Sequence, residues 1–349
     1  MSAGPGVEND PRVDVSVVIP TCNRRSQVLS LLGDLARSTH PIRELLIVDS
    51  SDEPLGASDY TGFKDCDVQY VVSKKKSVCV QRNIGIRRAR SSWIFLCDDD
   101  MQLPPDYLTK LVQHLRGHPE AGAVSGLWLE KSATGWQSSF PVKSALGLLW
   151  RYVFQLGIWG EIQVSEPLVG FAIDHYRRKG NHISRAGWPV IVDFSGKYFR
   201  TPIYSLGASL VRRDWLLNSP YDERLDPHGH GDNYGVALGF PEAIHVVTDV
   251  AVCHHKSEAN RLEDFEAYAR RLLALHYMVA SRRAGALADA RERFFIWSLI
   301  GQLVFHASVG NRRFAKAVLD TLLAIARGTN PNFSRAEPAE ESGRTEQSP

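Results

Sequence analysis

The chain has 349 residues, enough for one large domain or two ordinary ones. Apolar residues make up 44% and charged residues 23%, the balance of a globular protein with a sizeable core. Lys and Arg total 41 against 39 Asp and Glu, so the net charge of +2 draws the whole protein to neither nucleic acid nor an anionic membrane, and phosphate binding must come from local arrangement.

Cys22, Cys66, Cys79, Cys97 and Cys253 are odd in number, scattered and free of any CxxC pair, which argues against a disulfide framework and a cysteine zinc site. The first residues, MSAGPGVENDPRVD, lack a basic start followed by an apolar stretch, so no signal peptide is visible and a reducing, cytoplasmic location is expected, if anywhere near lipid at the inner face of the membrane.

Residues 1–12 and 330–349 are rich in Pro, Gly, Ser and charge and are expected to be disordered tails. VSVVIP (Val15–Pro20) is a β-branched run of the kind found in a buried parallel strand. Apolar residues at helical spacing follow from Ser26 to Ser38. ELLIVD (Glu44–Asp49) and VQYVVS (Val68–Ser73) read as the next strands, Val78–Arg90 as a helix, and WIFLC (Trp93–Cys97) as a fourth strand running into Asp98, Asp99 and Asp100. A helix from Pro105 to about Arg116 and a strand at Ala121–Leu129 complete the alternation. Ser132–Tyr204 is less regular and rich in Trp, Gly and Pro. Gly207–Leu216 reads as a strand entering a helix, Ile244–His255 as a strand or strand pair, and Leu262 to about Arg327 as helical with a turn at Gly310–Asn311. Strands alternating with helices predict an α/β fold, a mostly parallel sheet with helices on both faces, followed by a C-terminal helical extension. Ligands in such sheets bind beyond the carboxyl ends of the strands, which here carry Thr21, Asp49 and the three aspartates.

Asp98 and Asp100 are expected to point the same way if the strand alternation continues. Carboxylates at this density suit Mn²⁺ or Mg²⁺, with water and substrate phosphates completing the coordination; the bland reading is an acidic loop in solvent. Arg82 lies on the preceding helix, where its planar fork could reach a diphosphate; Arg87, Arg88 and Arg90 read as a solvated face. In YDERLDPHGHGDNYGVALGF (Tyr221–Phe240), glycines 229, 231 and 235 permit tight turns that could aim Asp232 as a general base. His228 and His230 have metal-ligand spacing without matching partners. One of His254 and His255 could be a further ligand beside the aspartates, since neighbours on a strand face opposite ways.

These segments resemble, in order and spacing, family 2 glycosyltransferases with the GT-A fold. VSVVIPTCNR resembles that family's first strand and nucleotide-binding turn, ELLIVDSSDE its second strand, VQRNIGIRRARSSWIFLCDDD its Arg-Asn-x-Gly helix leading into the DxD strand, and GASLVRRDWL with DERLDPHGHGDN its acceptor-side segment. The likeness covers about Val13 to Lys256. It implies an inverting transfer of a sugar from a nucleotide diphosphate donor to the hydroxyl of a saccharide or lipid-linked acceptor, with Asp232 as catalytic base. Pro20, Thr21, Arg24, Asp49, Arg82, Asp98 and Asp99 would bind the nucleotide sugar, and Asp98, Asp100 and His254 would hold Mn²⁺ or Mg²⁺. It also implies a domain over 13–258, with a nucleotide-sugar-binding half at 13–130 and an acceptor half at 131–258, and a helical region at 259–329. The sequence departs from the family at Ser50, where a second acid often stands, at Gly231-Asp232, where the family usually has Glu-Asp, and in lacking a later basic cluster. The alternatives are a sugar-phosphate nucleotidyltransferase, whose Gly-rich loop is replaced here by PTCNR, and a non-catalytic sugar-nucleotide-binding protein.

Two apolar segments stand apart. SALGLLWRYVFQLGIWGEI (Ser144–Ile162) reads as a core or pocket helix, or as an interfacial helix in peripheral contact with a membrane. FFIWSLIGQLVF (Phe294–Phe305) is too short to span a bilayer and reads as a buried helix of the C-terminal part or a homodimer contact. No nucleic-acid partner is expected.

Overall fold

A computed structural model describes residues 13–63, 65–225, 228–256, 262–281 and 287–334. The expected tail at 1–12 and the end of the other, 335–349, lie outside them. In chain order the elements are β1 (Val15–Thr21), α1 (Arg25–Ala36), β2 (Glu44–Asp49), β3 (Asp67–Val72), α2 (Val78–Arg88), β4 (Trp93–Cys97), β5 (Met101–Gln102), α3 (Tyr107–Gly117), β6 (Ala123–Ser132) and β7 (Gly135–Gln137). There follow α4 (Ala145–Val153), β8 (Ile158–Trp159), α5 (Gly170–Lys179), β9 (His182–Ile183), β10 (Pro189–Ile191), β11 (Tyr198–Thr201), β12 (Ala208–Arg212), α6 (Arg213–Asn218), α7 (Asp232–Ala237) and β13 (Ile244–His254). The chain closes with α8 (Asp264–Ser281), α9 (Glu292–Ser308), α10 (Arg312–Ala326) and α11 (Pro331–Ser334).

The main sheet runs β11-β13-β6-β12-β4-β1-β2-β3, with β5 and β7 attached to β13 and β6. β3, β2, β1 and β4 are mutually parallel. β12 enters antiparallel between β4 and β6, while β13 returns parallel to β6. This is the mostly parallel α/β sheet expected from the alternation. Its side chains divide as a two-sided sheet requires. Val15, Val17 and Ile19 pack with α1 and α3 on one face, while Val18, Leu46 and Leu96 pack with α2, α6 and the C-terminal helices on the other. Because Leu272, Phe295 and Val318 share that second core, α8, α9 and α10 are packed onto the sheet.

The middle stretch is more ordered than its sequence suggests. α4, α5 and a three-stranded sheet, β8-β10-β9, enclose a separate small core of Leu148, Ile158, Ala172, Tyr176 and Val190. Short strands and a helix with one fully buried side chain leave little periodicity to detect. The chain also stays in the fold past residue 329, where a tail was expected: Asn330 is 3% exposed and donates to the Leu273 carbonyl at 2.8 Å. Its polar composition hid this because the burial is hydrogen-bonded. The segment expected as a buried helix, Phe294–Phe305, lies in α9 and buries one face only; Trp297, Ile300, Val304 and Phe305 remain exposed. Among the described residues no helix is long and apolar enough to cross a membrane.

Candidate active site

The site lies where the parallel strands end. After Cys97, the last residue of β4, the Asp98 amide donates to the Gly207 carbonyl at 2.8 Å and the Met101 amide donates to the Asp98 carbonyl at 3.3 Å. This turn breaks the strand alternation, so Asp98 and Asp100 do not share a direction as expected. Asp98 faces α2, whereas Asp99 and Asp100 face the turn after β1. Asp98 fits because residue 207 is glycine: a Cβ there would stand 2.2 Å from Asp98 Oδ2.

Arg82, 4% exposed, is central to the first cluster. Its two terminal nitrogens donate to Asp98 Oδ1 and Asp232 Oδ2, and its guanidinium lies 4.8 Å from the centre of the Tyr221 ring. Expected at a diphosphate, the fork is instead engaged by two carboxylates. Burial opposes its charge, but Asp98 and Asp232 outweigh burial and raise its pKa. The rest of the Arg-Asn-x-Gly motif holds it in place. Asn83 exchanges hydrogen bonds with the Tyr221 backbone at 2.9 and 3.0 Å, and Gly85 lets α2 sit on Val18, where a Cβ would approach within 2.4 Å. Asp232 opens α7 after Gly231, whose φ of 88° suits glycine. Its Oδ1 accepts from the Asn233 amide at 2.6 Å. Burial pushes its carboxyl up, against the pull of Arg82.

The second cluster joins the first and fourth strands. Thr21 Oγ1 donates to Asp99 Oδ2 at 2.8 Å, and Arg24 Nη1 lies 3.0 Å from Asp99 and 3.5 Å from Asp100. Burial pushes the Asp99 carboxyl up to about 6 against the pull of Arg24, and the neighbouring charge of Asp100 adds to the rise. His254, at the end of β13, places Nε2 3.4 Å from Asp100 Oδ2. Burial works against charge on this ring, but Asp100 and Glu130 outweigh it and raise its pKa. His255 turns away to Gln102, at 2.8 Å. Of the two histidines, His254 therefore faces the aspartates.

The expected ligand set Asp98, Asp100 and His254 is not assembled, because Asp98 is drawn aside by Arg82. Among the described residues, no three His, Cys, Asp or Glu side chains are arranged to hold a metal ion. Asp100 and His254 do converge, and His254 Nδ1 is buried without a hydrogen-bond partner. One carboxylate and one imidazole are a donor pair suited to Mn²⁺ when phosphate oxygens and water complete the shell.

Pro20 is buried in β1 opposite Val48, and Thr21 opposite Asp49. Asp49 accepts from the Ser51 amide at 2.7 Å and from the Tyr70 hydroxyl at 2.6 Å, so partners within the protein already hold it. Gln81 ties the two strand ends together by donating to the Thr21 and Val48 carbonyls at 2.6 and 2.7 Å. Tyr70, Gln81, Asn83 and Tyr221 are the residues the sequence reading passed over. Asn83 alone had a signal, its place beside Arg82 in the motif; the others act through contacts distant in sequence.

Residues 16–152 match the family model described as glycosyl transferase family 2. An uncharacterized glycosyltransferase of Haemophilus influenzae is 26% identical over 111 residues, 32% of this chain and 37% of that protein. The uncharacterized glycosyltransferase YwdF of Bacillus subtilis is 30% identical over 128 residues, 34% of this chain and 46% of that protein. The matched stretch thus spans less than half of either relative. Among solved structures, S. aureus TarS 1–349 in complex with UDP-GlcNAc is similar over 90% of this chain and 92% of its own, at 10% identity and a TM-score of 0.50. GalNAc-T7 with UDP, GalNAc and Mn²⁺ is similar over 82% of this chain and 55% of its own, at 12% identity and a TM-score of 0.51. The motif-bearing sheet half, residues 16–152, is similar to glycosyl transferase family 2, and the fold of the chain is of the GT-A type.

Proposed function

We propose that this protein transfers a sugar from a nucleoside diphosphate sugar to an acceptor hydroxyl, inverting the anomeric carbon. The observation that carries the reading is the buried Arg82 fork, which joins Asp98 of the acidic triplet to Asp232 at the ligand end of the sheet. Asp232 accepts one bond from Arg82 and one from the Asn233 amide, so its carboxylate keeps lone pairs for an acceptor O–H. Taking that proton leaves the acceptor oxygen to bond to the anomeric carbon as the bond to the diphosphate oxygen breaks. The raised pKa of Asp232 makes it a better base than an ordinary surface carboxylate.

Thr21 and Arg24 fix the second cluster against the turn after β1, where the nucleotide would lie. Asp100 and His254 would hold Mn²⁺ or Mg²⁺, and Arg24 already stands 3.5 Å from Asp100. Bound there, the ion would stabilise negative charge on the departing diphosphate. TarS with UDP-GlcNAc and GalNAc-T7 with UDP and Mn²⁺ make nucleotide sugars and Mn²⁺ the first ligands to try here. The odd number and scatter of the five cysteines suit a reducing compartment.

A thermal-shift screen of UDP, GDP and dTDP sugars, with Mn²⁺ and then chelator, tests the reading. One donor should stabilise the protein by about 2.7 kcal/mol at a hundredfold excess over its Kd, and chelation should reverse much of that. Released nucleoside diphosphate should then appear on longer incubation. A protein that neither binds nor turns over any activated sugar does not have this function.

A further inference from the structure

Away from the sheet site, a cavity of about 730 Å³ opens between α4 and α9. Leu146, Trp150, Leu156, Trp188 and Phe305 give it an apolar lining, and no Asp or Glu is among its lining residues. Arg151 lines it too. Its Nη1 donates to the Gly157 carbonyl at 2.6 Å, and among the described residues no carboxylate pairs with it. A cation half-withdrawn from water is ordinarily matched by an anion.

The apolar character continues outward. Leu146 is 71% exposed, Phe305 49% and Trp297 42%. The two helices present these groups as one ledge, because Phe154 stacks on Trp297 at 4.8 Å and Trp297 Nε1 donates to the Val153 carbonyl at 2.9 Å. Gly301 allows this contact, since a Cβ there would stand 2.3 Å from the Phe154 ring. Two exposed cations adjoin the lining residues in sequence: Lys143 precedes Ser144, and Arg312 follows Ser308 by four positions. Neither forms an ion pair among the described residues.

We propose that the α4–α9 ledge docks on an anionic membrane surface, with Leu146, Trp297 and Phe305 entering the headgroup layer and Lys143, Arg151 and Arg312 facing lipid phosphates. Exposed hydrocarbon with Arg151 at the cavity, no Asp or Glu in its lining and two exposed cations adjoining it in sequence is complementary to such a surface. A two-fold contact with a second copy fits less well, because it would set the three cations against their own counterparts. Docking in this way is independent of the sugar-transfer reading and places the catalytic sheet beside lipid.

Co-sedimentation of the full chain with vesicles tests this, using phosphatidylcholine alone and mixed with phosphatidylglycerol, in the absence of any nucleotide sugar. Three basic groups predict binding up to about 100-fold tighter to the anionic vesicles at low salt, weakening as salt rises. Leu146→Glu and Phe305→Glu change exposed side chains, so both variants should keep the wild-type circular dichroism and Tm while losing most vesicle binding. Equal binding to both vesicles, no binding, or variants that bind as well as wild type overturns the proposal. So does a wild-type dimer that both variants dissociate, which would assign the ledge to a second copy. Uptake of a soluble alkyl phosphate without vesicle binding overturns it in favour of a free amphiphile. Since no donor is present, failure here leaves the sugar-transfer reading untouched, and failure of the donor screen leaves this one standing.

Discussion

The carboxyl edge of the sheet and the α4–α9 ledge depart from the usual segregation of residues in opposite directions. The first buries charge: Arg82, Asp99, Asp100 and Asp232 are all under 9% exposed. The second leaves Leu146, Val153, Trp297 and Phe305 at 42% exposure or more. Ordinary proteins rarely bury Asp or Arg without pairing them, and contiguous exposed hydrocarbon usually marks a contact. At the edge the cost of burial is offset inside the chain, because each carboxylate has a guanidinium or a hydrogen-bond donor beside it. At the ledge, among the described residues, nothing covers the apolar groups. The edge is thus complete as a preorganised set of charges, whereas the ledge is proposed to take its partner from outside.

The largest expected effect sits at the edge. Asp232→Asn keeps an oxygen for only one of Arg82 and the Asn233 amide and sets its NH2 against the other, so Tm should fall somewhat, while donor binding should hold and turnover should fall by about 10²–10⁴-fold. Turnover near wild type in steady-state assays would show that some other group takes the acceptor proton. Arg82→Ala should be the more damaging change for the fold. It leaves the buried Asp232 and the partly exposed Asp98 without their guanidinium, a loss of about 3–5 kcal/mol measurable by urea unfolding. Adding Asp232→Asn to that variant should recover part of the loss, because one uncompensated charge is removed. If the double variant is no more stable, the pairing at this edge is not what offsets the burial.

Gly207→Ala probes the same edge through the backbone. The added methyl would meet Asp98 Oδ2 and force the carboxylate off its seat, with an expected destabilisation of about 1–3 kcal/mol and a weaker response to donor and Mn²⁺. A matching change on the ledge, such as Leu146→Ala, should move Tm little, since exposed positions usually lie within about 0.5 kcal/mol of wild type. That difference in tolerance is the sharpest reading of the contrast.

How much of each region could be read from the sequence follows from the same physics. β1, β2 and β4 were legible because both of their faces are buried, so they read as short, largely apolar runs, and Thr21, Asp49 and the aspartates after Cys97 lie at the ligand edge. The direction of each acid was not legible. Asp98 turns to Arg82 and Asp99 to Thr21 because the chain bends at 98–101, a fact set by the Gly207 carbonyl over 100 residues away. His254 over His255 likewise depended on which face of β13 meets Asp100. The middle stretch was least legible, since two- and three-residue strands carry no period and their cohesion is tertiary. The apolar content of Ser144–Ile162 was visible; that one side of α4 stays uncovered was not.

A third place shows what burial does to a titratable group that gains no opposite charge. Between α3 and β13, His114 Nε2 lies 2.9 Å from His245 Nδ1, and His118 stacks on His114 at 4.1 Å. Burial and the neighbouring histidines push His114 down to about 4, although Glu120 and Asp249 act in the other direction. Here the fold avoids buried charge by keeping the ring neutral, where the carboxyl edge instead pairs it. The unfolded chain takes up a proton on this residue near its ordinary 6.5, whereas the folded chain resists until about 4. The unfolded state therefore binds more protons across that window, and stability must fall as pH drops through it. His114→Gln can still hydrogen-bond His245 but cannot titrate, so its Tm should decline less between neutral pH and pH 4 than that of wild type. His245, whose pKa is also lowered by burial, should keep some slope in the variant. An unchanged slope would mean that burial between α3 and β13 is too slight to keep His114 neutral, and the difference between a paired edge and a neutralised cluster would disappear.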